Sequence, residues 1–234
     1  MQLRKKLFMV SGGTYGRLGN AYAIQHDRGF ALIDCSVPGA QETICKNLHY
    51  WGIPENEITH VLLTHGHDDH AGCAAYFQLR GAKVCVGSAD AHMLINGNFG
   101  PDSPQTNHVM PACRPDILLE NDTVLNVGGL SIKVFTMRGH TDGSVIYYVH
   151  LDEDEVLFAG DMFFTDGEKG DQAFTGWKGD MTYSGEKLGE SFARLWKLNL
   201  RPTVVLGGHG IARIGNDAHE AIKVAYKYWQ SNNR

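Results

Sequence analysis

Seven consecutive residues constrain this chain more than any other stretch: Thr64-His65-Gly66-His67-Asp68-Asp69-His70. They follow the apolar run Val61-Leu62-Leu63, so they sit where a hydrophobic strand ends. Three histidines and two aspartates in six positions are costly to bury unless a cation binds them. Period-two spacing turns His65 and His67 to one side of an extended segment. Asp69 and His70 then fall at a helix start that can swing them toward the same point. Imidazole and carboxylate together suit zinc and, less selectively, iron or manganese.

The rest of the chain reads as mixed α/β. Strands are predicted over 7–10, 21–25, 30–34, 60–64 and 83–86, and again over 123–127, 130–136, 145–150, 155–159 and 203–206. Helices are predicted over 40–51, 71–80, 88–95 with Ser88 as N-cap, 186–198 and 217–229. Segment 96–116 holds four of the seven prolines, which breaks all periodicity. It reads as a long loop of the kind that often serves as a lid. Segment 160–184 is a second aperiodic region. No linker marks a second domain, so one domain over 1–234 is expected, with two halves meeting near 96–116.

Three further spots repeat the chemistry of the cluster. Gly139-His140-Thr141-Asp142-Gly143, Ala159-Gly160-Asp161 and Gly207-Gly208-His209-Gly210 each place one ligand-type side chain at a strand end among glycines. Glycine there lets backbone or substrate come close. Taken alone, Asp161 also fits a turn former. The remaining histidines, His26, His49, His60, His92, His108, His150 and His219, read as surface or satisfied core residues.

Composition narrows the partners. A net charge of −5 leaves no basic excess to hold a phosphate backbone, which argues against a nucleic-acid binder. Apolar runs of only a few residues fall far below the roughly 20 that span a bilayer, so no membrane partner is expected. The apolar stretch at the start stops after Val10, too short for a secretory signal. Five cysteines, an odd count without a Cys-x-x-Cys pair, point to reduced thiols in a cytoplasm.

The ordered set His65-x-His67-x-Asp69-His70, His140, Asp161 and His209 resembles the metallo-β-lactamase fold superfamily of metallohydrolases. The resemblance covers nearly the whole chain and implies a four-layer αβ/βα sandwich with a two-metal site at one edge. It implies that His65, His67 and His140 hold one metal, that Asp69, His70 and His209 hold the other, and that Asp161 bridges them. The cofactors so implied are two divalent ions, zinc first, with a hydroxide between them as nucleophile at neutral pH. Asp69 is the expected catalytic group, orienting that hydroxide or passing its proton to the leaving group. Asp34 is expected to accept a hydrogen bond from a ligand imidazole, with a turn-forming role as the alternative. Thr64 and Thr141 adjoin ligands and could bond to them.

Within the superfamily the chain looks glyoxalase II-like or lactonase-like. Asp161 stands where one class of zinc β-lactamases carries cysteine, which argues against a typical antibiotic-hydrolysing enzyme. Glyoxalase II adds a C-terminal glutathione-binding region, whereas this chain ends 25 residues after His209. Many lactonases carry a tyrosine three residues after the bridging aspartate, and Phe164 stands there instead. RNA-processing phosphodiesterases carry basic surfaces not visible here. Persulfide dioxygenases of this fold use one iron on a subset matching His65, His140 and Asp161. The expected activity is therefore hydrolysis of a small ester, thioester or lactone. A mono-iron dioxygenase is the alternative, with β-lactam or phosphodiester hydrolysis behind it. Phe163, Phe164, Phe174 and Trp177 are expected to wall the substrate, with the loop Gly12-Gly13-Thr14-Tyr15-Gly16 opposite. Lys169 and Lys178 read as solvated, and Asp142 as a charge near the site mouth. The exposed aromatics leave a homodimer open.

Overall fold

The computed structural model describes residues 1–165 and 173–232. In chain order, seven strands form one sheet: β1 (Gln2–Arg4), β2 (Leu7–Ser11), β3 (Ala21–His26), β4 (Gly29–Ile33), β5 (Ile58–Leu62), β6 (Lys83–Gly87) and β7 (Ile117–Leu119). The first four pair antiparallel, and β4 to β7 run parallel. A second sheet takes β8 (Thr123–Val127), β9 (Leu130–Thr136), β10 (Val145–Leu151), β11 (Asp154–Gly160), β14 (Val204–Gly207) and β15 (Arg213–Ile214), with β11 parallel to β14. A ribbon of β12 (Phe164–Thr165) and β13 (Ala173–Phe174) stands apart.

Strand alternation sorts the side chains into three cores. Leu7, Met9, Tyr22, Ile24, Ala31 and Ile33 point to the second sheet and meet Tyr147, Val149, Val156, Phe158 and Leu206. Phe8, Val10, Ala23, Phe30 and Leu32 point the other way. They pack on Ile44 and Leu48, one helical turn apart on α1 (Gln41–Tyr50), and on Phe77 of α3 (Ala74–Gln78). On the far side of the second sheet, Ile146, Leu157 and Ala159 meet Leu188, Phe192 and Leu195 of α5 (Gly185–Leu198). Ala221, Ile222, Ala225 and Trp229 of α6 (Glu220–Asn232) close the same core. Strands with both faces buried read as continuous apolar runs, as β2 and β4 do. The layers are helix, sheet, sheet, helix, which is the expected αβ/βα sandwich.

Several elements depart from the sequence expectation. The helix predicted over 71–80 is broken into α2 (Asp68–Ala71) and α3, with Gly72 between them. A Cβ on Gly72 would lie 2.2 Å from Pro38 N and 2.4 Å from Asp68 O, so the chain turns there against another backbone. Ser88 caps nothing: it opens a 3-10 turn, Ser88–Asp90, before α4 (Ala91–Asn96), and Gly87 precedes that turn. β5 ends at Leu62, two residues early. The chain changes sheets after Leu119, just beyond the 96–116 junction, because the unpredicted β7 still pairs with β6. Lys169 and its neighbours lie outside the described residues. Among the described residues no helix is long and apolar enough to cross a membrane.

Parallel strands collect their C-terminal ends on one edge. Asp34 follows β4, the His65–His70 cluster follows β5, Asp90 follows β6, Asp161 follows β11 and His209 follows β14. The sheets are stitched at that edge by Val145 N–H to Thr64 O (2.8 Å), Tyr147 O–H to Leu63 O (2.7 Å) and Asn20 N–H to Gly208 O (2.7 Å).

Candidate metal centre

Three imidazoles converge first. His65 Nε2, His67 Nδ1 and His140 Nε2 are 3.1, 3.1 and 3.2 Å apart in pairs. A tetrahedral ion with N ligands at ~2.0–2.1 Å would space them by about 3.3 Å. The outer nitrogens settle which atom is bare. His65 Nδ1 faces Thr64 Oγ1 at 3.0 Å, and that hydroxyl donates to Asp34 Oδ2 at 2.8 Å. The hydroxyl's own proton is thus used, so it accepts from His65 Nδ1–H and leaves Nε2 bare. His67 gives Nε2–H to Asp180 Oδ2 at 3.0 Å, which leaves Nδ1 bare.

The second group mixes charges. His70 Nε2 lies 3.3 Å from His209 Nε2 and 3.3 Å from Asp161 Oδ1. Asp69 Oδ2 is 3.2 Å from His209 Nε2, and Asp69 Oδ1 is 3.7 Å from His70 Nε2. Asp161 Oδ2 reaches His209 Nε2 at 3.5 Å and His140 Nε2 at 3.7 Å, so one carboxylate borders both groups. His65, His67 and His140 form one donor triad able to hold a cation, and His70, Asp161 and His209 form another. The seven side chains named from the sequence therefore meet in one place.

Their electrostatics differ by group. Burial, followed by the neighbouring imidazoles, holds His65 well below its ordinary value and His140 down at about 3. Burial also opposes charge on His70 and His209. It is outweighed at His70 by Asp161 and Asp69, and at His209 by the hydrogen bonds its ring N–H donates to the same two acids. His70 rises well above its ordinary value, and His209 rises to about 9. Burial would raise Asp161 and Asp69, but His70 and His209 hold both below the usual carboxylate range.

Donor chemistry tests whether a cation fits. His65 Nε2, His67 Nδ1 and His140 Nε2 converge within 3.2 Å of one another, and His140 Nδ1 and His209 Nδ1 are buried without a partner. Asp161 Oδ1 is buried without a hydrogen bond. A Cβ on Gly208 would lie 2.1 Å from that oxygen and 2.6 Å from His70 Cε1, so glycine keeps this space open. Divalent cations fit this donor set.

Carboxylates behind the cluster orient it. Asp34, at φ 55 in the left-handed region, accepts His70 Nδ1–H (3.0 Å), Thr64 N–H (2.7 Å) and the Thr64 hydroxyl. The bond to His70 is of the kind the sequence led one to expect at Asp34. Three further groups escaped the sequence reading. Asp180 holds His67, with burial opposing its charge but the His67 and Thr182 bonds drawing it down to about 2. Asp90, fully buried, accepts Gly66 N–H, Gly143 N–H and Thr141 Oγ1–H, and so ties the two ligand loops together. Thr141 therefore serves Asp90 and makes no bond to the His140 ring. The third group is His108, read as a surface or core residue, which lines the cavity and bonds Asp68 at 2.7 Å.

That cavity, about 530 Å³, opens beside His67, Asp69, Asp161 and His209. Two of the four expected substrate residues line it: Phe164, which also packs on His209, and Trp177. Phe163 does not. It is 0% exposed and packs on Phe192, because the turn before β12 sends it into the core under α5. Phe174 does not line it either, and instead supports Tyr15, which does. Asp142 pairs with Lys187 at 2.6 Å and is absent from the cavity wall.

The family model of the metallo-beta-lactamase superfamily matches residues 14–209, and this chain belongs to that superfamily. Among curated relatives, a hydroxyacylglutathione hydrolase of Pseudomonas aeruginosa is 35% identical over 115 residues. That match covers 49% of this chain and 36% of the relative, so the chain spans about a third of that relative's length. The Xenopus laevis metallo-beta-lactamase domain-containing protein 1 is 26% identical over 180 residues, covering 76% of this chain and 65% of that protein. Among solved structures, the subclass B3 metallo-beta-lactamase BJP-1 of Bradyrhizobium japonicum superposes with a TM-score of 0.75 at 20% identity, covering 99% of this chain and 92% of that one. A Cronobacter sakazakii metallo-beta-lactamase mutant gives 0.76 at 18% identity, covering 99% and 93%. At such identities these structures are similar in fold alone.

Proposed function

We propose that this chain is a metal-dependent hydrolase that holds two divalent ions, zinc first among them, and cleaves a small ester, thioester or lactone. The observation that carries the reading is the Asp161 carboxylate. It borders both donor groups at the floor of an open cavity, whereas a structural zinc site closes its coordination, usually with cysteine. The name of the Pseudomonas relatives, hydroxyacylglutathione hydrolase, supports the thioester among the three bond types.

His65, His67 and His140 would hold one ion; Asp69, His70 and His209 the other; Asp161 both. When bound, such a pair supplies Lewis acidity toward an acyl oxygen and a water made acidic enough to attack at neutral pH. The chain's own groups do the rest. Asp69 is the ligand carboxylate with the most exposed side chain, at 21% against 4% for Asp161, and it faces the cavity. That position suits it to orient the attacking water and to pass its proton to the leaving group. Asp34, Asp90 and Asp180 hold ligand rings and loops in place, so little reorganises during the reaction. Phe164 and Trp177 would exclude water from the apolar part of the substrate.

Elemental analysis of protein purified without chelator or added metal tests this directly, followed by an ester, thioester and lactone panel. About two zinc ions per chain and turnover on the panel are expected. About one iron per chain, with oxygen uptake on a persulfide, would replace this reading with the iron dioxygenase.

A further inference from the structure

The cavity wall facing the ligands carries a pair that this mechanism leaves unused. His108 Nδ1 lies 2.7 Å from Asp68 Oδ1. Asp68 is buried, and its other oxygen meets Arg17 Nη2 at 3.3 Å. Arg17 thus supplies the counter-charge for Asp68. An ionised carboxylate has no proton to give, so the proton in this bond sits on Nδ1, and when the ring carries that proton alone Nε2 is the acceptor. Among the described residues Nε2 has no hydrogen-bond partner.

The ring is also held flat. Phe99 stacks on one side at 4.8 Å and 23°, and Trp177 stacks at 5.5 Å and 19°. The same two rings lie 4.8 and 5.9 Å from the His67 ring, so a single aromatic layer separates His108 from the metal ligands. His108, Phe99 and Trp177 all line the cavity. A side chain pinned by a buried acid and two rings keeps its acceptor in place at little further entropic cost on binding.

We propose that His108 is a substrate-recognition residue. Its Nε2 accepts a hydrogen bond from a hydroxyl or N–H of the substrate, one flat apolar group away from the bond that is cleaved. The class of substrate this selects has a planar or apolar body, matching Phe99, Trp177 and Phe164, with a donor at its far end. The location of the cleaved bond rests on the hydrolase reading above. A site built around a fixed polar atom discriminates sharply against analogues that leave the atom unpaired.

The test uses zinc-loaded full-length protein and two matched pairs of probes. The first pair is the methyl thioesters of 4-hydroxyphenylacetic and 4-methoxyphenylacetic acid, assayed for kcat/KM. The second is the two free acids, titrated calorimetrically. Within each pair the methoxy member replaces the O–H donor by a methyl cap, so the read-out is the change of the ratio between wild type and variant. Wild type is expected to favour the hydroxyl member by roughly tenfold, the scale of one net hydrogen bond against an unpaired acceptor. His108→Phe, which can keep both ring stacks, is expected to bring that ratio to about one. His108→Gln, which retains an acceptor, is expected to keep part of it. An unchanged ratio in His108→Phe overturns the proposal, as does wild type without preference in either pair. Failure to bind the hydroxyl acid at all also overturns it. Binding with a His108-dependent preference but no hydrolysis of either thioester or of any member of the ester, thioester and lactone panel would sink the hydrolase reading while the recognition site stands.

Discussion

The two halves of the ligand cluster solve the burial of polar atoms in opposite ways. His65, His67 and His140 bury no acid among themselves, and burial keeps His65 and His140 uncharged. The group of Asp69, His70, Asp161 and His209 buries two acids beside two imidazoles and neutralises itself with protons. A cation can enter the first group without displacing a proton from His65 or His140. In the second group it must displace protons from His70 and His209. The pair of sites is therefore asymmetric before any metal arrives.

The largest expected effect bears on the acid that faces the cavity. Asp69→Ala is expected to cut kcat/KM on the best panel substrate by about 10²–10⁴-fold, the usual worth of general acid–base help. A large melting shift with turnover intact would mark the centre as structural and sink the proposed mechanism.

Next come the carboxylates behind the rings. Asp180→Asn should weaken zinc binding to the three-histidine group alone, whereas Asp34→Asn should weaken the second group directly through His70 and the first less, through Thr64 and His65, with the direct effects roughly 10–100-fold. Chelator competition reads both. If each variant lowered both affinities equally, the two groups would be one cooperative site.

Proton competition sharpens the contrast further. Affinity at the second group should fall as pH drops below about 9, by up to about tenfold per pH unit for each proton displaced from His209 and His70, while the three-histidine group should change less because burial keeps His65 and His140 unprotonated. Metal content should accordingly pass from about two ions per chain toward one on acidification. Equal losses from both groups in dialysis at graded pH would break the distinction.

The smallest effect concerns metal-free protein. Charged His209 stabilises the fold fully below its ordinary value of 6.5, and that contribution is lost as pH rises through about 9. The melting temperature of the metal-free protein should therefore decline across that interval. His209→Gln should remove this part of the slope.

The candidate donors were legible because most sit at the end of an apolar strand among glycines, so a local pattern betrays a shared edge. Asp34 was half legible for the same reason. Asp90, Asp180 and His108 carry no such signature. Their partners lie far off in sequence, at Thr141, His67 and Asp68, and a lone acid or histidine in a loop looks the same whether or not it reaches them. Adjacent aromatics posed a related problem: Phe163 and Phe164 differ only in the side of the chain they leave from, and one enters the core while the other meets the cavity. The sandwich was foreseen through the family resemblance, since the residue pattern alone gave no more than mixed α/β. Strands β1, β7 and β15 were missed because two or three residues hold too few alternations to register.

Each donor group straddles the seam between the sheets. His65 and His67 come from the first sheet and His140 from the second; Asp69 and His70 come from the first, Asp161 and His209 from the second. Any ion held there is a removable cross-link between chain segments more than 70 residues apart, as from His65 to His140. Such a link penalises the unfolded chain much as a disulfide does. The reaction centre is in that sense also a rivet, and stripping it would loosen the molecule along the line where its halves meet.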